Sequence, residues 1–358
     1  MRKPKLHWSF KDSIQRVIES IAPILQITLA ALIGYSISHY GLGHAIPLLA
    51  VTVSITSLGF TRDARPRRVV ETAAGMVFGI ALSETLLTFF GHGLLQMAAV
   101  LLICFTLARF VNPSAAFALT VGIQSMLVFL LPPPEGGVYV RSVDGIIGGL
   151  VALAVTALIP RNPRAMAIKD GDRLFDLFLA SLASLRTALL TVDVKVADET
   201  LTRIRRSQPL VENWRLSLDS AISIARISPF MRKHREDLSD QVRLFRGMDL
   251  AMRNLRVVVR RVDFLLGDGQ KRPYLADLLE QISVGVSLLA EGLEQPEKRI
   301  QAQEQFTEVI HQLDPKRFGI ADQLKEASVL LLLRPMLVDL LCASGMSEDD
   351  ARAELPKI

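Results

Sequence analysis

An arginine-dense turn that runs straight into a membrane-length apolar segment constrains this chain more than any other feature. Residues 61–90 read TRDARPRRVVETAAGMVFGIALSETLLTFF. Arg62, Arg65, Arg67 and Arg68 outweigh Asp63, and short loops rich in Lys and Arg stay on the cytoplasmic side of a membrane. Val69 to Phe90 then leads outward, and a helix needs about 20 residues to cross the hydrocarbon. Gly75 and Gly79 give it a small-residue face that a second helix can approach closely, while Glu71 and Glu84 are carboxylates that hydrocarbon disfavours. A helix with both features packs inside a bundle.

The composition divides the chain. Residues 1–160 are dominated by apolar runs, whereas 161–358 mix both charges densely with short apolar stripes. The expected organisation is a basic cytoplasmic N-terminus at 1–17, a transmembrane domain at 18–160 and a cytoplasmic helical domain at 161–358. The net charge of +5 lies mostly in the first half, so it reports topology and gives no nucleic-acid footprint. The basic start has no small-residue cleavage site behind it and reads as a retained first span. With two cysteines, Cys104 and Cys342, neither a disulfide framework nor a metal cluster can be built, and no cofactor is expected.

Six spans follow in order. They are residues 18–40, 45–60, 69–90, 94–111, 115–131 and 143–160, with both chain ends inside. Gly41 to His44 is a tight external turn, Asn112-Pro113-Ser114 breaks the helix on the cytoplasmic side, and Pro132 to Gly137 is an external loop. Arg109 snorkels to the interface. Arg68, Glu71, Gly75 and Gly79 have the same spacing as Arg141, Asp144, Gly148 and Ala152, so the six spans divide as two triplets of opposite orientation, an inverted repeat, or the match is chance. Glu71 and Asp144, at helix starts, read as caps that complement the helix dipole. Gly75, Gly79, Gly145, Gly148 and Gly149 read as helix-packing residues.

The second half is expected to be all-helical. Phe175, Phe178, Leu182, Leu185 and Leu189 form one stripe, and Asp198 to Ser228 continues as helix with an interruption near Pro209. Phe245, Met248, Met252, Leu255, Val259, Val262 and Leu266 form a coiled-coil-like seam. Its expected partner is the stripe Leu275, Leu278, Ile282, Val286, Leu289 and Leu293, in an antiparallel hairpin. The apolar stretch 320–343 contains Arg334 and Asp339, a charge pair that lipid disfavours, and so reads as the central helix of a soluble bundle. Arg243, Arg246, Arg253, Arg256, Arg260 and Arg261 read as a solvated face, with attraction to anionic lipid as the alternative.

Two passages, RPRRVVETAAGMVFGIAL at 65–82 and RSVDGIIGGLVALAVTALIPRNP at 141–163, resemble the FUSC group, the fusaric-acid-resistance-like and aromatic acid exporter families of bacterial inner-membrane proteins. A third, LLLRPMLVDLLCASGMSEDDARAELP at 331–356, is similar to the ending of shorter members with one membrane block and one helical block. Longer members carry that unit twice, which implies that this chain assembles as a homodimer or higher homo-oligomer. The resemblance implies export of small aromatic carboxylic acids or related amphipathic compounds across the lipid bilayer. On that reading Arg65, Arg67 and Arg68 gather the organic anion at the cytoplasmic mouth, and Gln26, Thr52, Thr56 and Gln124 hydrogen-bond it in transit.

Glu84 sits past the middle of its span without a basic neighbour in sequence, which suits either proton coupling or a shallow, wetted position beside His92. Catalytic residues are not expected, since HExxH, GxSxG, a phosphate-cradling glycine loop and clustered His or Cys ligands are all missing. Two non-catalytic alternatives to a transporter stand at this stage: a membrane-anchored scaffold or regulator without transport activity, and a gated channel.

Overall fold

Long apolar runs punctuated by Gly, Pro and Asn leave the backbone one way to satisfy its own polar groups, and among the described residues every regular element is helical. The computed structural model describes residues 10–59, 66–134, 136–159, 163–228 and 235–357. Arg65, with the rest of the arginine turn before Pro66, lies outside the described residues, as do the basic residues 2–5. The chain forms two compact units, one made of Met1–Arg161 with Ser223–Arg232, the other of Asn162–Ile222 with Lys233–Ile358.

In the first unit α1 (Phe10–Ser36) runs into a π-helical turn (Ile37–Gly41), followed by α2 (Leu48–Leu58), α3 (Pro66–Phe90), α4 (Leu94–Val111), α5 (Ala115–Leu130) and α6 (Val140–Leu158). Local chemistry sets the breaks. Asn112 Oδ1 accepts the Ser114 N–H at 2.8 Å, and Ser114 Oγ accepts the Phe117 N–H at 3.4 Å, turning the chain and capping α5. Gly91, at φ 68°, adopts the left-handed conformation that lets α3 stop.

Four of the six expected spans, α1, α3, α4 and α6, are long and apolar enough to cross a membrane. The other two are shorter than the apolar runs implied. Pro47 delays the start of α2 and Gly59, at φ 50°, ends it, leaving 11 residues, while α5 has 16. At 1.5 Å per residue these are roughly 16 and 24 Å, against a hydrocarbon core of about 30 Å.

The helices are arranged around α3 and α6, which cross antiparallel: Glu84 near the end of α3 meets Ser142 at the start of α6, and Ala73 meets Gly149. α5 runs parallel to α3, and α2 runs parallel to α6. Outside these pairs α1 packs on α2 and α6, and α4 packs on α5 and α3. Turning the unit over about an axis across α3 and α6 therefore exchanges α1–α3 with α4–α6, as an inverted repeat requires. The two short helices occupy equivalent places.

The contacts repeat in detail. Ser125 Oγ on α5 donates to Val121 O at 2.8 Å and to Gly79 O at 3.3 Å; Ser54 Oγ on α2 donates to Ala50 O at 2.8 Å and to Gly148 O at 3.1 Å. A Cβ on Gly79 would lie 2.6 Å from Val121 O, and one on Gly148 would lie 2.4 Å from Ala50 O. The packing thus equates Gly79 with Gly148, one helical turn from the sequence match of Gly75 with Gly148.

These contacts fix a prediction. Gly148→Ala and Gly79→Ala each force backbone apart and are expected to destabilise the unit by about 1–3 kcal/mol. Gly75→Ala meets only the Thr120 Oγ1 and Phe117 ring atoms, which can rotate, and is expected to cost less. Thermal unfolding of the three variants in detergent checks the order, and equal losses would contradict it.

The second unit comprises α7 (Pro163–Thr191), α8 (Val194–Arg205), most of α9 (Gln208–Ile227), α10 (Arg235–Leu266), α11 (Pro273–Glu291), α12 (Glu297–Ile310), α13 (Leu324–Ser344) and α14 (Glu348–Ala353). The break at Arg206–Ser207 falls just ahead of Pro209. The hairpin expectation is corrected. α10 packs chiefly on α13, and α11 on α7 and α12. The reason is α13, whose Val329, Leu330, Leu333, Met336, Leu337, Leu340 and Leu341 form a continuous buried stripe that α10 packs against. Gly247 lets α10 close to where an added Cβ would touch Asp339 O at 2.6 Å.

α7 and α13 are also long and apolar enough to cross a membrane, by length and composition. In this unit their apolar surface is spent on a single shared core. Arg334 and Asp339 do not pair with each other: Arg334 donates to Leu313 O and Pro356 O, and Asp339 accepts from Asn254 Nδ2 at 2.6 Å. The arginine face of α10 is only partly solvated, since Arg256 reaches Ser207 and Arg261 reaches Ser328 across helix junctions. Arg272, buried ahead of α11, gathers Asp268 and Glu326, and Tyr274 donates to Glu326 at 2.6 Å.

Candidate functional site

The first turns of α3 and α6 carry the same chemistry to opposite ends of the first unit. At one end Arg67, Arg68, Glu71 and Thr72 of α3 face Asn112, Ser114, Phe117 and Thr120 of the α4–α5 turn and α5, enclosing a cavity of about 420 Å³. Arg67 Nε donates to Glu71 Oε1 at 2.7 Å, a solvent-exposed pair on one helix face; Glu71 lies past the first turn of α3, so it is an ion-pair partner here instead of a cap. Arg68 lines the same cavity one residue on.

At the other end Arg141 and Asp144 of α6 face His44 to Leu48 and the prolines at 132–134, around a cavity of about 260 Å³. Asp144 departs from the capping expectation. It is 2% exposed, and its Oδ1 meets His44 Nδ1 at 2.7 Å, because the π-helical turn and the His39 Nδ1 contact to His44 O swing His44 over the start of α6. Arg141 is buried against carbonyls, donating from Nη1 to Val128 O at 3.1 Å and from Nη2 to Pro132 O. These belong to the last turn of α5 and the loop beyond it, where free carbonyls and the helix dipole favour a cation.

Glu84 lies behind that second cavity. Its Oε2 accepts from Ser142 N at 3.2 Å and from Ser142 Oγ at 2.5 Å, while its Oε1 is buried without a hydrogen-bond partner. At 4% exposed it is not the shallow, wetted carboxylate that a position beside His92 implies; His92 packs its ring at a tilt against Phe129 instead, with ring centroids 5.4 Å apart.

Between the two ends runs one stripe of α5. Phe117 and Thr120 line the first cavity, Gln124 follows one turn deeper, and Val128 a turn later holds Arg141. Gln124 is 2% exposed and its Oε1 is buried without a partner. An unmet amide oxygen in such a place costs about 1–3 kcal/mol.

The other sequence candidates go elsewhere. Gln26 Nε2 donates to Ile159 O at 2.9 Å and Val155 O at 3.5 Å, closing the end of α6. Thr52 Oγ1 turns back to Leu49 O on its own helix, and Thr56 is exposed on the flank of α2. Arg109 donates to Pro113 O at 2.6 Å at the end of its own helix. Of the predicted residues, the structure thus brings Arg67 and Arg68 to one cavity, Gln124 to the interior and Glu84 to the far end. The His44–Asp144 pair, Ser142, Asn112 and Ser114 were not legible beforehand; the equal spacing of Arg68–Glu71 and Arg141–Asp144 was the one available signal.

A model of the family described as fusaric acid resistance protein-like matches residues 29–155. Within its first unit the chain is therefore similar to this family. The match begins inside α1 and ends inside α6, so it takes in both cavities and the α5 stripe. An uncharacterized protein of Corynebacterium glutamicum is 26% identical over 362 residues, which cover 99% of this chain and 93% of that protein. That similarity runs through both units. With four helices of membrane length in the first unit and this similarity to a membrane-protein family, the chain is a multi-pass membrane protein.

Proposed function

We propose that the chain exports small aromatic carboxylic acids or related amphipathic anions across the bacterial inner membrane, with both termini and the second unit in the cytoplasm, as a homo-oligomer. The observation that carries this reading is the α5 stripe: a buried, unmet Gln124 between two cavities, each with an arginine at its rim. Short helices at matching positions of an inverted repeat are the strongest backbone sign of where such proteins bind cargo. Here they are α2 and α5.

The residues divide the work. Arg67 and Arg68 attract the anion to the cytoplasmic mouth, where Asn112, Ser114 and Thr120 offer hydrogen bonds and Phe117 offers a ring face. The cavity of about 420 Å³ lies within the range of about 300–1,000 Å³ used for small organic ligands. With the cell interior negative, each exported monoanion gains about 2.3 kcal/mol per 100 mV, so outward movement has a drive even without a proton. Glu84 supplies proton coupling: its unmet Oε1 is the oxygen a proton takes as the carboxylate passes.

Chemical protection tests the reading. The native cysteines are one buried and one half-buried, so background labelling is measurable on the parent protein. Thr120→Cys is expected to react with a maleimide from the cytoplasmic side and to be protected several-fold by millimolar benzoate. Labelling indifferent to benzoate and to other one-ring acids would count against a binding role for this cavity.

A further inference from the structure

We propose that the cavity at the start of α6 is a second carboxylate site, the counterpart of the arginine-turn cavity across the internal two-fold, from which the anion leaves to the outside. The proposal rests on the transport reading above and assigns it an outer station. Arg141 is the cation of this site. Its hydrogen bonds, to Val128 O and Pro132 O, are with carbonyls that orient the guanidinium, and the Glu84 carboxylate behind it interacts with it electrostatically. Five N–H donors on a planar fork leave it able to meet a carboxylate as well.

The nearby acids are both held. Asp144 is tied to His44, and Glu84 is tied to the Ser142 amide and hydroxyl while interacting with Arg141 electrostatically. Ile46, Leu48, Leu131 and the three prolines make the rest of the wall apolar, and successive prolines keep it stiff. A largely apolar wall that carries one guanidinium beside the His44–Asp144 pair fits a ring with a single carboxylate. At about 260 Å³ the space is smaller than the inner cavity, so the outer station selects one-ring acids over bulkier amphiphiles.

The test measures each face separately. Uptake of radiolabelled benzoate into right-side-out membrane vesicles loads the protein from outside, and uptake into inverted vesicles loads it from the cytoplasmic face. Arg141→Gln is expected to raise the half-saturating concentration at least tenfold in right-side-out vesicles and to leave it within twofold in inverted ones, with Arg68→Gln doing the reverse. Arg141→Lys, which keeps the charge, is expected to recover part of the outer affinity. Ile46→Trp fills the same cavity without touching the buried arginine, and is expected to block loading from outside while sparing cytoplasmic half-saturation. Equal changes on both faces, or none, for Arg141→Gln and Ile46→Trp together would overturn the outer site while leaving transport standing. Failure of the unaltered protein to move benzoate in either preparation would overturn the transport reading, and this site with it.

Discussion

In proteoliposomes Glu84→Gln is expected to keep moving aromatic carboxylates but to lose the response to a proton gradient. Gln matches Glu in size and retains an oxygen for the Ser142 amide and hydroxyl, so the junction between α3 and α6 should survive. What it removes is the capacity of the buried carboxylate to exchange a proton. One pH unit is worth about 1.4 kcal/mol per proton, a tenfold ratio in accumulation. The unaltered protein should therefore accumulate benzoate against roughly ten times the gradient when one pH unit is applied, and the variant should show the same accumulation with and without it. Retention of the tenfold response by a folded Glu84→Gln would remove Glu84 from coupling.

The second large effect concerns the other unit. Arg272→Met is expected to destabilise it by about 3 kcal/mol or more, because Glu326, with 13% side-chain exposure, loses its cation and stays buried. For a unit of this size that is roughly a 6–12 °C fall in Tm. Acid acts on the same cluster. Hydrogen bonds from Arg272, chiefly, hold the Asp268 carboxyl down at about 2. A carboxyl depressed on folding stabilises the fold above its unfolded value of about 3.9, and the contribution disappears as pH falls toward 2. The parent should lose stability between about pH 4 and pH 2, and Arg272→Met should lose less in that window. Parallel acid curves would show that the cluster is not the origin.

Much of the helical plan was legible because lipid and a soluble core both leave long signatures in sequence. The runs in α1, α3, α4 and α6, and the breaks at Asn112-Pro113-Ser114 and before Pro209, follow from apolar length and from residues that cannot continue a helix. Partner choice was not legible. The rhythm of α10 states that it has a buried seam, and every apolar helix of the unit satisfies that need equally in sequence; in the structure it is the buried stripe of α13 that meets it.

The candidate site shows the same boundary. Glycine spacing announced close packing, but which backbone each glycine meets depends on where the serines of α2 and α5 fall, and this shifted the repeat by a turn. Gln26 looked like pathway lining because a polar residue in mid-span is conspicuous. Its partners lie more than 120 residues away at the end of α6, out of reach of any local pattern. His44 and Asp144 are 100 residues apart, and only a bend in the π-helical turn joins them.

Movement of an anion is the property on which every role assigned above depends, and efflux of radiolabelled benzoate from loaded proteoliposomes containing the purified chain measures it directly. Efflux is expected to exceed that of protein-free vesicles, to be faster when the potential favours loss of the anion, and to be reduced at least tenfold at low benzoate by Arg68→Gln. Efflux no faster than from protein-free vesicles, for benzoate and a panel of one-ring acids, in protein shown to be folded, would contradict this expectation and turn attention to a partner of the second unit.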